Sequence, residues 1–267
     1  MIRGIEAITF DFGNTLVSFP ARDRDAVLSA TADVWAARFG ATPEAFVVAW
    51  YEERQRQFAE DVPEGREANM DVRVARVLAR LAGEPAPPAG QRWDDGRAAA
   101  LTSRTTVDAI LDTYADAFVK FTDVPPTIGP MLARLATRYR LGLLSNWPWP
   151  LPLERYLVNA GWAASLSSVV VSARVGSIKP GAEIFRVAAR ELGLESGPAL
   201  LHVGDDPGAD VVGAHAAGWR AAWVRVKPED SPLPAAPPVA DPQPDIVVDR
   251  VEDIERALGL TGPECPA

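Results

Sequence analysis

Three aspartates stand in the stretch 205–210, at Asp205, Asp206 and Asp210, directly after the apolar run Leu200–Val203, and a fourth, Asp11, follows the apolar run Ile8-Thr9-Phe10. Carboxylates gathered at one point repel each other unless a cation sits among them. Hard oxygen donors of this kind suit Mg²⁺, which keeps several waters and takes only a few carboxylates. Two further polar stretches are Ser145-Asn146, after the apolar run 141–144, and Lys179-Pro180, before a helix. Only three of the 27 basic residues are lysines, Lys120, Lys179 and Lys227, so each lysine position is informative. Pro180 marks a helix start, whose free backbone amides favour an anion.

The elements that must hold these residues alternate. The run through Asp11-Phe12 stops at Gly13-Asn14 and reads as a buried strand. From 20 to 122 the pattern becomes helical. Val27, Leu28, Thr31, Val34, Trp35 and Phe39 share one face up to a stop at Gly40, and Thr42-Pro43-Glu44 is a fresh N-cap. Phe46, Val47, Trp50, Tyr51, Arg54 and Phe58 continue that second helix. Met70–Leu81 and Val107–Phe118 give two more, separated by a Pro-rich loop. After Pro125-Pro126 the spacing predicts a helix around 131–137 and strands at 141–144, 169–172, 200–203, 221–226 and 246–248. Helices fall between them, including 182–192 and 209–217. The Pro-rich stretch 227–245 reads as a surface loop. Strands alternating with helices imply a parallel sheet covered on both faces, and in such sheets functional residues gather beyond the carboxyl ends of the strands. The expected class is α/β, a Rossmann-like parallel sheet with an inserted α-helical cap. The core comprises 1–19 and 123–250, the helical insert 20–122, and a C-terminal helix and tail 251–267.

Taken in order, Asp11 to Thr15, Ser145-Asn146, Lys179-Pro180 and Gly204-Asp205-Asp206 with Asp210 resemble the four motifs of the haloacid dehalogenase-like hydrolases. The resemblance covers about 1–19 and 123–250, with the insert similar to that family's helical cap. It implies a Mg²⁺-dependent hydrolase, in most members a phosphatase of small phosphorylated metabolites. Asp11 would attack phosphorus to form an aspartyl-phosphate. Thr15 and Ser145 would support the nucleophile loop and hold the phosphoryl group, with Asn146 as a further donor. Lys179 would neutralise charge between the nucleophile and the phosphoryl oxygens. The metal would be held by Asp11, the Gly13 carbonyl, Asp205 and Asp210. Asp206 is an accessory carboxylate or a helix cap, and Trp147 either floors the pocket or packs beneath a loop.

The sequence departs from the phosphatase pattern at one place. A second aspartate normally stands two residues after the nucleophile, where it protonates the leaving oxygen and activates water; here that position is Gly13. Such assistance is worth about 10²–10⁴-fold. A binding or regulatory protein with little turnover, and a phosphotransferase, are therefore alternatives. The dehalogenase branch lacks the acidic metal cluster, which argues against it here. The phosphonatase branch needs a lysine from the insert, which has none before Lys120.

The remaining composition narrows the setting. A net charge of −9 opposes nucleic acid and anionic lipid partners. The only cysteine is Cys265, in a Gly-Pro-Glu-Cys-Pro-Ala tail, and one cysteine makes no internal bridge. No stretch resembles a leader or a membrane span, so a cytoplasmic protein is expected. His202 and His215 read as structural, and Arg22 and Arg24 as solvated.

Overall fold

The computed structural model describes residues 2–88 and 90–260, so Cys265 and the tail around it lie outside the described residues. Six strands form one sheet in the order β3-β2-β1-β4-β5-β6. They are β1 (Ala7–Phe10), β2 (Arg140–Ser145), β3 (Ser168–Val171), β4 (Leu200–Gly204), β5 (Arg220–Val224) and β6 (Ile246–Val248). Every neighbouring pair is parallel. The strands are short and apolar because both faces are covered, which leaves no polar alternation to read.

The register brings three strand tips level with one another. Phe10 pairs with Leu143 on β2 and with Val203 on β4. The chain builds outward from β1 through β2 to β3 and then resumes on the other side of β1 with β4. β1 is therefore the strand at which the winding reverses, the place where parallel sheets open a crevice. Asp11 is the next residue, still tied to β4 by its N–H to the Val203 carbonyl at 2.9 Å.

The chain divides into two compact units, 1–21 with 123–147 and 157–267, and 22–122 with 148–156. In the first, helix α9 (Ala182–Glu191) packs on β2 and β3 and helix α6 (Ile128–Ala136) on β2. Ile184, Phe185 and Ala188 of α9 form a core with Leu144, Val170, Leu200 and Trp219. Burying a side chain the size of Ile or Phe is worth about 1.5–3 kcal/mol, so this face anchors the sheet. Arg134 of α6 donates two bonds of 2.7 Å to Glu255 of the short helix α11 (Ile254–Ala257).

The second unit contains no strand among the described residues. Its helices are α1 (Ala21–Trp35), α2 (Pro43–Asp61), α3 (Met70–Leu81), α4 (Asp95–Ala100) and α5 (Arg104–Phe121), joined by the first part of α7 (Pro150–Asn159). Each break in the sequence has a local cause. Gly40 takes φ 67° and stops the chain after α1, and Thr42 then accepts a bond from the Ala45 N–H with Pro43 in the first turn. Asn69 caps α3, Asp94 caps α4 and Ser103 caps α5 in the same way. Leu28, Phe46, Trp50, Val74, Leu78 and Ile110 meet in one apolar cluster, with Trp149 packed at its edge. Arg155 of α7 pairs with Asp112 and Asp116 of α5.

Several elements differ from their expectation. The chain over 207–217 is a π-helical turn, Pro207–Val212, followed by a single α turn, α10 (Gly213–Ala216), because Asp206 and Asp210 are held by other groups at its start. Helix α4 lies where the pattern predicts none, and α7 and the short α8 (Ser172–Val175) occupy intervals between strands for which it gives no bounds. No described helix is long and apolar enough to cross a membrane.

Candidate active site

The loop after β1 turns back within a few residues. Leu16 and Val17 both donate to the Phe12 carbonyl at 3.0 Å, and Asn14 donates to the Val17 carbonyl at 2.6 Å. Asn14 sits at φ 60°, a left-handed conformation that asparagine tolerates. This hairpin leaves Asp11 at the strand tip and buries Thr15, whose hydroxyl lies 3.4 Å from an oxygen of Asp205.

Lys179 is the hub. Its side chain is 2% exposed, and its three N–H groups reach Asp11 Oδ1 at 2.8 Å, Asp210 Oδ1 at 2.7 Å and the Leu144 carbonyl at 3.0 Å. Burial opposes the ammonium charge, but Asp11 and Asp210 outweigh it and hold its pKa above the usual lysine value. Asn146 fixes the backbone beneath it, with Oδ1 accepting from the Lys179 N–H at 2.7 Å and Nδ2 donating to the Lys179 carbonyl at 3.0 Å. Ser145 is buried at the tip of β2, the strand beside β1.

The acidic stretch after β4 splits into distinct roles. Asp210 accepts the Asp206 N–H at 2.8 Å and, with Lys179 and His202 against its other oxygen, is held below the usual carboxylate range despite burial. Asp206 spends both oxygens on backbone amides. Oδ1 accepts from Gly208 and Ala209, and Oδ2 from Ala236. It is a helix cap and a tether. Asp205 is buried, and burial first, then Asp210 and Asp11, pushes its pKa up to about 7. Burial likewise holds Asp11 above the usual range, although Lys179 pulls the other way.

Two groups near the cluster escape a reading of the sequence. His202 lies directly across from Thr9 in the β1–β4 register, and its Nδ1 is 2.8 Å from the threonine hydroxyl. Its Nε2 is 3.0 Å from Asp210 Oδ1. Burial and the nearby Lys179 lower its pKa, so the ring is neutral. An ionised Asp210 only accepts, which assigns the proton to Nε2 and leaves Nδ1 to accept from Thr9. The signal is a polar side chain inside an apolar strand. Lys227 reaches Asp205 Oδ2 at 3.3 Å.

Lys227 opens the Pro-rich stretch after β5, which folds back over both loops. Asn14 donates to Ser231 at 2.9 Å, the Ala21 N–H reaches Asp230 at 3.3 Å, and Ala236 is tethered by Asp206. The Leu233 side chain lies over Gly13, where an added Cβ would come within 2.4 Å of its Cδ1. Trp147 packs edge-on against Phe12 and Phe19, each with ring centroids 5.7 Å away.

Asp11, Asp205 and Asp210 offer carboxylate oxygens that all lie within 4.8 Å of one another. Opposite oxygens of an octahedral Mg²⁺-sized ion are about 4.2 Å apart, so the donor set has the right span and chemistry. It is also short of positive charge, since two of its three acids are held against ionisation. These residues fit a divalent cation.

The sheet reverses its winding at β1, with a lysine-bridged aspartate at that tip and, on the adjoining strand and its loop, acidic donors that fit a divalent cation, the layout of a doubly wound α/β site. The family model for haloacid dehalogenase-like hydrolases matches residues 5–218, and the chain belongs to that family. A curated relative, a phosphoserine phosphatase from Thermus thermophilus, is 44% identical over 92 residues, which is 34% of this chain and 36% of that protein. The match thus spans about a third of that relative's length. A 2-haloacid dehalogenase from Pseudomonas syringae pv. Tomato has a similar fold, with a TM-score of 0.67, 24% identity and coverage of 96% of this chain and 98% of that one. A HAD phosphatase from Thermococcus onnurineus gives a TM-score of 0.56 at 19% identity, covering 96% and 98%.

Two measurements test this geometry. A Cβ at Gly204 would stand 2.1 Å from the Asp210 carboxylate. Gly204→Ala is expected to cost about 2 kcal/mol or more in denaturant unfolding, within the range for overpacking. For Asp205 the folded pKa of about 7 lies above the unfolded value of 3.8. The protonated carboxyl therefore favours the cation-free fold at low pH, and that contribution is lost as pH rises through 7. A dication must displace the proton, so the rise in melting temperature on adding MgCl₂ should be larger at about pH 8 than at about pH 5.5.

Proposed function

We propose that this chain is a Mg²⁺-dependent phosphatase of small phosphorylated metabolites that works through an aspartyl-phosphate at Asp11. One observation carries the reading: a single buried ammonium joins Asp11 to Asp210, and Asp205 completes an acidic cluster around the same point. An ammonium that pins one oxygen of Asp11 orients the other toward an incoming phosphorus and offsets the charge of the anion it attacks. Thr15 and Ser145 are hydroxyls at the right strand ends to hold phosphoryl oxygens, as is the backbone of Asn146, whose side chain is committed to Lys179. Asp11, the Gly13 carbonyl, Asp205 and Asp210 would hold the metal. When bound, Mg²⁺ supplies charge neutralisation for the phosphoryl oxygens. The phosphoserine phosphatase of Thermus thermophilus gives the phosphatase reading a relative by sequence, over part of its length.

A second reading has its own support. The position that carries the acid in phosphatases is Gly13, and Leu233 occupies the room a side chain there would need. A site so covered suits a protein that binds a phosphorylated ligand with little turnover, or an enzyme restricted to esters with good leaving groups.

An assay of aryl and alkyl phosphates with Mg²⁺ separates these. Turnover of an aryl phosphate is expected, falling by at least ~10³-fold in Asp11→Asn, the scale at which a covalent route is lost. Activity surviving Asp11→Asn would overturn the aspartyl-phosphate. The Gly13→Asp variant alone must displace Leu233. Combined with Leu233→Ala it is expected to raise turnover of alkyl phosphates by about 10²-fold, the lower end of general acid assistance. A wild-type protein inert on every phosphate tested, beside an active double variant, would favour the binding reading.

A further inference from the structure

β5 and β6 are parallel neighbours, and such a pair is usually joined by a crossover helix. The chain between them, 225–245, holds no helix. It runs instead as a strap over the two loops that carry the proposed cation donors, and it touches each loop twice. On the loop after β4, Lys227 Nζ lies 3.3 Å from Asp205 Oδ2, and the Ala236 N–H donates to Asp206 at 2.7 Å. On the loop after β1, Ser231 accepts from Asn14 at 2.9 Å, and the Leu233 side chain covers Gly13.

The two ends of the strap are held differently. A Cβ at Gly208 would come within 2.7 Å of the Ala236 Cβ and 3.0 Å of the Pro237 carbonyl, so the far end is packed against backbone. The near end rests on an ion pair with unequal members. The Asp205 side chain is 7% exposed, and its carbonyl accepts from the Trp223 indole N–H at 3.1 Å, whereas the Lys227 side chain is 39% exposed. Lys227 is therefore the member able to move. Five of the eleven residues 228–238 are prolines, and Pro232 and Pro234 flank Leu233. Each proline fixes φ, so a shift at Lys227 is carried along the strap to Leu233 rather than absorbed on the way.

An ammonium on Asp205 and a dication among Asp11, Asp205 and Asp210 draw on the same carboxylate and repel each other. Each must weaken the hold of the other, and the antagonism is reciprocal. We propose that the strap is a cation-responsive cover: Lys227 yields Asp205 when Mg²⁺ is taken up, the near end of the strap lifts, and Leu233 uncovers Gly13. The packed end at Gly208 and Ala236 is the hinge. Access to the loop that carries Asp11 then follows metal loading. This inference rests on the cation reading of the three aspartates and not on turnover.

Mg²⁺ binding is measured by calorimetry on the full chain at low ionic strength, where the charge of Lys227 is least screened. Lys227→Met keeps the aliphatic stem without the charge and should bind Mg²⁺ about tenfold more tightly than the wild type. Ser231→Ala alters no charge and only loosens the strap from Asn14, so binding about threefold tighter is expected. In a Cys265→Ser background, maleimide labelling of Leu233→Cys should run at least about threefold faster with Mg²⁺ than with EDTA. Unchanged affinity in Lys227→Met would overturn the competition for Asp205. Affinity unchanged or weakened in Ser231→Ala, or labelling indifferent to Mg²⁺, would overturn the lifting of the strap. Mg²⁺ bound by neither the wild type nor Lys227→Met would overturn the cation reading and this inference with it. The expected pattern in a protein that turns over no phosphate would keep the strap and sink only the phosphatase.

Discussion

A lysine ammonium taken almost wholly out of water keeps its charge only where carboxylates stand close enough to replace the lost hydration. Lys179 meets that condition with Asp11 on one strand tip, Asp210 on the turn after another, and a backbone carbonyl between them. Removing either acid would leave a buried charge half-compensated. The arrangement fixes the spacing of β1, β2 and β4 at their carboxyl ends. Much else in this unit serves that spacing: Asn146 clamps the lysine backbone, Gly204 yields space to Asp210, and His202 passes the constraint back to Thr9 inside the sheet.

The acids are not equivalent, and the difference is environmental. Asp210 has a lysine and a neutral imidazole donor and ionises readily. Asp205 has only Thr15 at 3.4 Å and Lys227 at 3.3 Å against its side chain among the described residues, and burial pushes its pKa up to about 7. Asp206, next to it in the chain, faces away and caps a turn. Three like residues in the stretch 205–210 thus become an anchor, a group ready to exchange a proton for a cation, and a tether for a distant segment.

Much of this is legible in the sequence, and the reasons are physical. Short apolar runs ending in Gly or Asp mark buried strands whatever surrounds them, and Thr42 caps its helix through a bond that spans three residues. Asp11 and Asp205, with Asp210 close behind, stand out because charged residues at the ends of apolar strands are costly without a purpose, and Lys179 because lysine is rare in this chain. What cannot be read depends on contacts between distant segments. Nothing local tells that Leu233 covers Gly13, that Lys227 turns back to Asp205, or that Thr9 and His202 face each other across a strand pair. The π-helical turn at Pro207–Val212 is equally hidden, since the bonds that hold Asp206 and Asp210 around it come from Ala236 and Lys179, distant in the chain. Arg24 reads as merely solvated, yet it lies over the Tyr51 ring.

The placement of β1 between β2 and β4 carries a consequence for how the molecule is made. This strand leaves the ribosome well before its two neighbours, which begin at Arg140 and Leu200. The helical segment from 22 to 122 makes mostly local contacts and can gather as it emerges, whereas β1 must wait, apolar and unpaired, until most of the polypeptide has followed. Asp11 therefore acquires its surroundings last, and a nascent chain halted before β4 would hold an ordered helical module beside a strand with one edge still open.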